Sequence, residues 1–221
     1  MKINSYIDHT VLKATTVVGD IKKLCAEAKE HNFYAVCVNG SYVSLAKKAL
    51  EGSDVKVCAV IGFPLGAMSK DAKVFEAKKC VEDGAGEIDM VINVGFMKSG
   101  MYAEVEQEIL EIKKAIGSNV LKVIIENCYL TDDEKKMACE MCVRAGADFV
   151  KTSTGFGTGG ATLEDLKLMK SVVGDKIKIK AAGGVKDLET AAKFIEAGAN
   201  RLGTSSGVQL VTTGKMKEGE Y

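Results

Sequence analysis

The chain has no apolar run approaching the ~18 residues that a membrane-spanning helix needs, and MKINSYIDHTVLKATT at its start contains nothing like a signal peptide. These absences predict a cytoplasmic protein with no membrane partner. Net charge is absent too, with 30 lysines and arginines against 30 aspartates and glutamates. Without a global field to attract nucleic acid, any anionic partner must be met by a local site. There is one proline, Pro64, and no proline- or glycine-rich linker, so nothing divides 1–221 into domains. Only 212–221, TTGKMKEGEY, reads as a polar, mobile tail. The seven cysteines are odd in number, and a chain this long does not need disulfide staples. Cys37, Cys58 and Cys80 sit among apolar neighbours, as buried free thiols do in a reducing compartment. Cys139 and Cys142 form a C-x-x-C in mid-helix without two further ligands nearby, so no metal is expected there.

What is present is a repeating alternation. Apolar, β-branched runs occur at 5–9, 35–39, 55–62, 87–93, 121–127, 148–153, 176–182 and 199–205, separated by amphipathic segments such as SKDAKVFEAKKCVEDG and YAEVEQEILEIKKAIG. Thr131-x-x-Glu134 and Thr162-x-x-Asp165 carry capping-box signals. Eight strand–helix units in 221 residues predict an α/β fold, a single-domain (β/α)8 TIM barrel. A doubly wound sheet, the alternative, usually has fewer strands.

In a barrel, chemistry sits at the C-terminal ends of the strands. Strand parity then selects the side chains that point inward. In EIDMVIN, Ile88, Met90 and Ile92 share the outer face, leaving Asp89 and Asn93 inside. In KIKIKAA, Lys178 and Lys180 point inward, with Lys180 nearer the mouth; in DFVKTS, Lys151 takes the inward face. A lone lysine at a strand end usually extends its ammonium to solvent. Two inward lysines beside an inward aspartate suggest carbonyl chemistry through a Schiff base. Burial and a neighbouring cation would both disfavour the charged form of Lys151 and free its amine, and Asp89 could exchange protons.

Glycines and hydroxyls crowd the last strand ends at Thr154-Gly155, Gly183-Gly184 and Gly203-Thr-Ser205-Ser206-Gly207, a composition suited to a phosphate, with Lys186 able to add charge. Gly155-Phe-Gly157-Thr-Gly159-Gly160 imitates a dinucleotide fingerprint, but the place for its ribose-binding acid holds Lys180.

The segments VIGFPLG, EIDMVIN, FVKTSTGF, KIKAAGG and LGTSSG, in this order and spacing, resemble the deoxyribose-phosphate aldolase family from YIDHT to GTSSG. The resemblance implies a class I aldolase that reversibly cleaves 2-deoxy-D-ribose 5-phosphate to glyceraldehyde 3-phosphate and acetaldehyde, with neither metal nor cofactor. It implies Lys151 as the imine-forming lysine, Lys180 as its neighbour and Asp89 as the partner in proton transfer. Asp8, Cys37 and Thr154 match positions lining the site. Gly155, Gly183, Gly184, Ser205 and Ser206 match the phosphate cradle. Tyr221 matches a terminal tyrosine that could swing over the mouth, and a homodimer or higher homo-oligomer is the family expectation. The chain departs from the family pattern at Ala14, Met68, Asn127 and Phe156; at Phe156 some members carry lysine. Other readings are a Schiff-base barrel for a larger sugar phosphate, an isomerase using Asp89 alone, and a catalytically silent sugar-phosphate sensor.

Overall fold

The structure, a computed structural model, describes residues 3–214. Tyr221 and 215–221 of the expected tail lie outside the described residues, whereas Thr212 and Thr213 close the last helix. Strands β1 (Ile7–Thr10), β2 (Ala35–Asn39), β3 (Lys56–Ile61), β4 (Glu87–Val91), β5 (Val120–Ile124), β6 (Phe149–Lys151), β7 (Lys178–Ala182) and β8 (Arg201–Thr204) run parallel in chain order. They close into a barrel when β1 pairs with β8. Around it lie α1 (Val18–Glu30), α2 (Val43–Ala49), α3 (Lys70–Glu82), α4 (Val94–Lys98), α5 (Tyr102–Ile116), α6 (Asp132–Arg144), α7 (Leu163–Val173), α8 (Leu188–Glu196) and α9 (Gly207–Thr213). Among the described residues, no helix is long and apolar enough to cross a membrane.

The main core is the shell between strands and helices, where Ile88, Met90, Ile109, Ile112, Val123 and Leu202 are buried. Each fully buried side chain of this size contributes roughly 1.5–3 kcal/mol, and this shell allows the barrel interior to hold charge instead of hydrocarbon. The small inner apolar cluster is Leu12, Cys37, Cys58 and Val60, with Phe63 against it.

Local signals act as the sequence predicts at Thr131. Its hydroxyl accepts the Glu134 N–H, and the Glu134 carboxylate accepts the Thr131 N–H at 2.7 Å. At Thr162 only half the box forms: Thr162 Oγ1 accepts the Asp165 N–H, while the Asp165 carboxylate pairs with Lys135 at 2.7 Å. Cys139 and Cys142 are buried in α6.

The loop after β3 is anchored from below. Buried Lys73 of α3 packs its stem on Gly62, donates to Val91 O at 2.8 Å and pairs with Glu108 at 2.8 Å. Glu76 accepts the Gly62 N–H at 2.8 Å. The rim beside the mouth is therefore held by a buried ion pair.

Candidate active site

Seven ionisable side chains from six strands meet inside the barrel. Asp8 comes from β1, Glu87 and Asp89 from β4, Lys122 from β5, Lys151 from β6, Lys180 from β7 and Arg201 from β8. Alternation places them there: register pairs Asp89 with Lys122, Lys151 with Lys180, and Lys180 with Arg201. Asp89 is the hub. Its Oδ2 accepts from both Lys151 and Lys180 at 2.8 Å, while its Oδ1 accepts from Lys122 at 2.8 Å and the Cys58 thiol at 3.0 Å. Lys180 also donates to Asp8 at 2.5 Å, Lys122 pairs with Glu87 at 2.5 Å, and Arg201 joins Asp8 at 2.6 Å to Glu87 at 3.0 Å.

Burial alone would neutralise these groups, but their mutual attraction outweighs it. Burial raises Asp89, yet Lys122, Lys151 and Lys180 hold its carboxyl well below the usual range. Burial likewise raises Asp8, but Lys180, Lys122 and Arg201 bring it down to about 2. Burial lowers Lys180, whereas Asp8 and Asp89 raise it further, which favours its ammonium form beside Lys151. Asp89 is thus an ionised acceptor with four donors, and the proton-bearing neighbour of Lys151 is Lys180.

Lys178 does not join the network. Parity predicts it inside, but it begins β7 at the open bottom of the barrel, where it is exposed with its ammonium 5.7 Å from the Phe149 ring centroid. Asn93 caps α4 by accepting the Phe96 N–H at 3.1 Å and makes no bond to the lysines.

At the mouth, Thr154 is buried and held by Glu126, which accepts its N–H at 3.1 Å and its hydroxyl. Burial raises the Glu126 carboxyl, and the Thr154 bonds and Lys151 oppose that rise. The glycines and serines of the expected cradle gather at neighbouring strand ends. Gly183 and Gly184 follow β7 with φ of 72° and 75°, conformations that favour glycine. Gly160 lies so close that a Cβ there would stand 2.6 Å from Gly183 C. After β8, the Ser205 and Ser206 hydroxyls are buried without a hydrogen-bond partner among the described residues. Gly155 turns the chain after Thr154 with φ 89°. Lys186 is exposed and lines an outer crevice with Gly160 and Gly184. Lys13, which the sequence reading did not single out, lines a pocket of about 50 Å³ with Thr154, Phe156 and Ser205. Phe156 packs edge-on against Phe63 at 5.3 Å.

Cys37 lies at the floor of the site beside Cys58. With Asp89 they offer two sulfurs and one oxygen within 4.8 Å of one another. Geometry alone would suit a metal ion, but Cys58 donates to Asp89, and Lys122 stands 3.4 Å from its sulfur. With further lysines converging on Asp89, these surroundings oppose another cation.

The family model for the DeoC/LacD family aldolase matches residues 2–211. The chain belongs to this aldolase family. It is an enzyme, a carbon–carbon lyase. The deoxyribose-phosphate aldolase of Streptococcus uberis is 57% identical over 219 residues, covering 99% of this chain and all of that protein. That of Carboxydothermus hydrogenoformans is 59% identical over 214 residues, covering 95% and 94%. A solved aldolase, QR15, superposes with a TM-score of 0.92 at 47% identity over 96% of this chain and 95% of its own. The deoxyribose phosphate aldolase of Aeropyrum pernix, described as a unique tetramer, gives 0.86 at 32% identity over 96% and 90%.

Within this family frame, four participants escaped sequence reasoning. Lys122 and Glu87 obey the same inward parity as Lys151 and Asp89 but lie a layer below the mouth. Arg201 begins its strand. Glu126 follows β5, and its left-handed backbone, φ 51°, leaves no mark in the sequence.

Proposed function

We propose that the chain is a class I deoxyribose-phosphate aldolase. In the cleavage direction, the neutral amine of Lys151 adds to C1 of 2-deoxy-D-ribose 5-phosphate and loses water to form an imine. The C2–C3 bond then breaks: its electron pair moves into the imine to give an enamine, and the C3 hydroxyl loses its proton as glyceraldehyde 3-phosphate forms. Protonation of the enamine at C2 and hydrolysis release acetaldehyde and restore the lysine. Lys180 is assigned the proton exchange, with Asp89 and Asp8 fixing its ammonium, so the chemistry runs on side chains alone. Gly155, Gly183, Gly184, Ser205 and Ser206 are assigned the phosphate, with Lys13 or Lys186 as its cation. Cys37 lines the floor, and Tyr221 is assigned to proton exchange at the mouth. The reading extends to a cytoplasmic homo-oligomer in deoxyribonucleotide catabolism, in line with its similarity to deoxyribose-phosphate aldolases.

One observation carries the reaction: two buried lysines from neighbouring strands share a single carboxylate oxygen at the mouth of the barrel. An isomerase working through Asp89 alone would not need Lys151, and a sensor would need none of the three. Borohydride trapping with acetaldehyde, followed by peptide mapping, should place an ethyl group on Lys151. Binding of the sugar phosphate without any trapped adduct would overturn the reading.

A further inference from the structure

Glu126 is buried, non-glycine and left-handed, a conformation that an L side chain keeps only where its surroundings impose it. Its carboxylate is spent on one residue. Oε1 accepts the Thr154 N–H at 3.1 Å and Oε2 accepts the Thr154 hydroxyl hydrogen. Thr154 Oγ1 in turn accepts the Phe156 N–H at 2.9 Å. A hydroxyl offers one hydrogen and two lone pairs. At Thr154 the hydrogen is taken by Glu126 and one lone pair by Phe156, so a single lone pair remains. Thr154 lines both the pocket of about 50 Å³ beside Lys13 and one of about 170 Å³ beside Pro64 and Tyr129, so that lone pair is the one its hydroxyl can offer to the mouth.

The geometry points to Glu126 as a positioning and specificity-determining residue. By taking the Thr154 hydrogen, it makes Thr154 an acceptor only, and the site therefore selects a substrate that presents a chain hydroxyl there over one that presents only an acceptor. The inference rests on the aldolase reading above. Glutamine at the same place would keep the geometry and reverse the polarity. Its carbonyl would still accept the Thr154 N–H, but its amide would donate to Oγ1 and release the threonine hydrogen toward the mouth.

Uncleavable analogues read this directly: 2-deoxyribitol 5-phosphate and its two variants with fluorine replacing the C3 or the C4 hydroxyl. Fluorine keeps the size and loses the donor. In the wild-type protein, fluorine at one of the two positions should weaken inhibition about tenfold or more. E126Q should collapse that ratio, T154V should collapse it as well, and E126Q/T154V should show no change beyond T154V. Equal inhibition of the wild type by all three analogues would overturn the inference. So would an E126Q loss that is uniform across analogues and additive with T154V, since that is the behaviour of a merely structural residue. If E126Q does not fold, equal inhibition of the wild type by all three analogues still overturns the inference. Trapping of acetaldehyde on Lys151 of the wild type, run alongside, separates the two levels. No adduct removes the aldolase reading itself, whereas trapping without fluorine discrimination removes only the role of Glu126.

Discussion

Two lysines on adjacent strands should respond in opposite ways to one chemical change. Lys122→Met and Lys151→Met each delete an ammonium and keep a similar length of apolar chain. The interior holds three carboxylates, Asp8, Glu87 and Asp89, against four basic side chains, Lys122, Lys151, Lys180 and Arg201. Removing Lys122 leaves Glu87 Oε2 without the partner it had at 2.5 Å and takes from Asp89 its leading attraction. Losing one member of a buried pair costs about 3–5 kcal/mol. Removing Lys151 orphans no anion, because Asp89 keeps Lys122 and Lys180, each at 2.8 Å. With Lys151 gone, three carboxylates still face three basic side chains, so its cost should stay below about 1 kcal/mol. Urea unfolding followed by far-UV circular dichroism measures both, provided the m-value is unchanged. At roughly 2–4 °C per kcal/mol for a chain of this size, K122M should melt roughly 6–20 °C below the wild type and K151M close to it. K151M should nevertheless trap no acetaldehyde at that position. Equal destabilisation by the two substitutions would refute the assignment of Lys151 as the surplus, working lysine and Lys122 as the structural one.

Asp8 gives a pH prediction. Its carboxyl is depressed from 3.8 to about 2 in the folded protein, so its contribution is complete above the unfolded value and fades as pH falls toward about 2. That contribution is about 2 kcal/mol, and the stability gap between wild type and D8N should narrow from about pH 4 to about pH 2; a gap constant with pH would count against it. Gly160→Ala would press a Cβ to 2.6 Å from Gly183 C and displace the cradle. The KM for 2-deoxyribose 5-phosphate should rise about ten- to a hundredfold, as a misplacement near 1 Å can cost, while that for unphosphorylated 2-deoxyribose changes much less. Equal rises for both sugars would place the phosphate elsewhere.

The sequence revealed the frame of the site but not its support. Alternation and turn spacing gave the barrel, and parity brought Asp89, Lys151 and Lys180 to one place, because a strand's period of two is rigid. Parity says which way a side chain points but not how deep it lies. Lys178 and Lys180 share a face, yet one is exposed at the bottom and the other fully enclosed. Lys122 obeyed the same rule unnoticed, since depth depends on register with β4 and β6, a long-range property. Glu126 escaped for another reason: its role depends on a backbone conformation that glutamate rarely adopts. Capping signals were readable at Thr131 and only half readable at Thr162, where Lys135 of α6 captures the carboxylate that would have completed the box.

Asp8 reaches its partners 172 and 193 positions along the chain, at Lys180 and Arg201. During synthesis the first strand therefore emerges with a carboxylate whose counter-ions have not yet been made. It cannot settle into a dry interior on its own, so a growing chain that lacks its last quarter has no native place for β1. The charge of the finished interior thus ties the first strand to the last two: a chain ending before Lys180 and Arg201 leaves Asp8 with only Lys122, 3.8 Å away, and should be cut by protease more readily than the full chain.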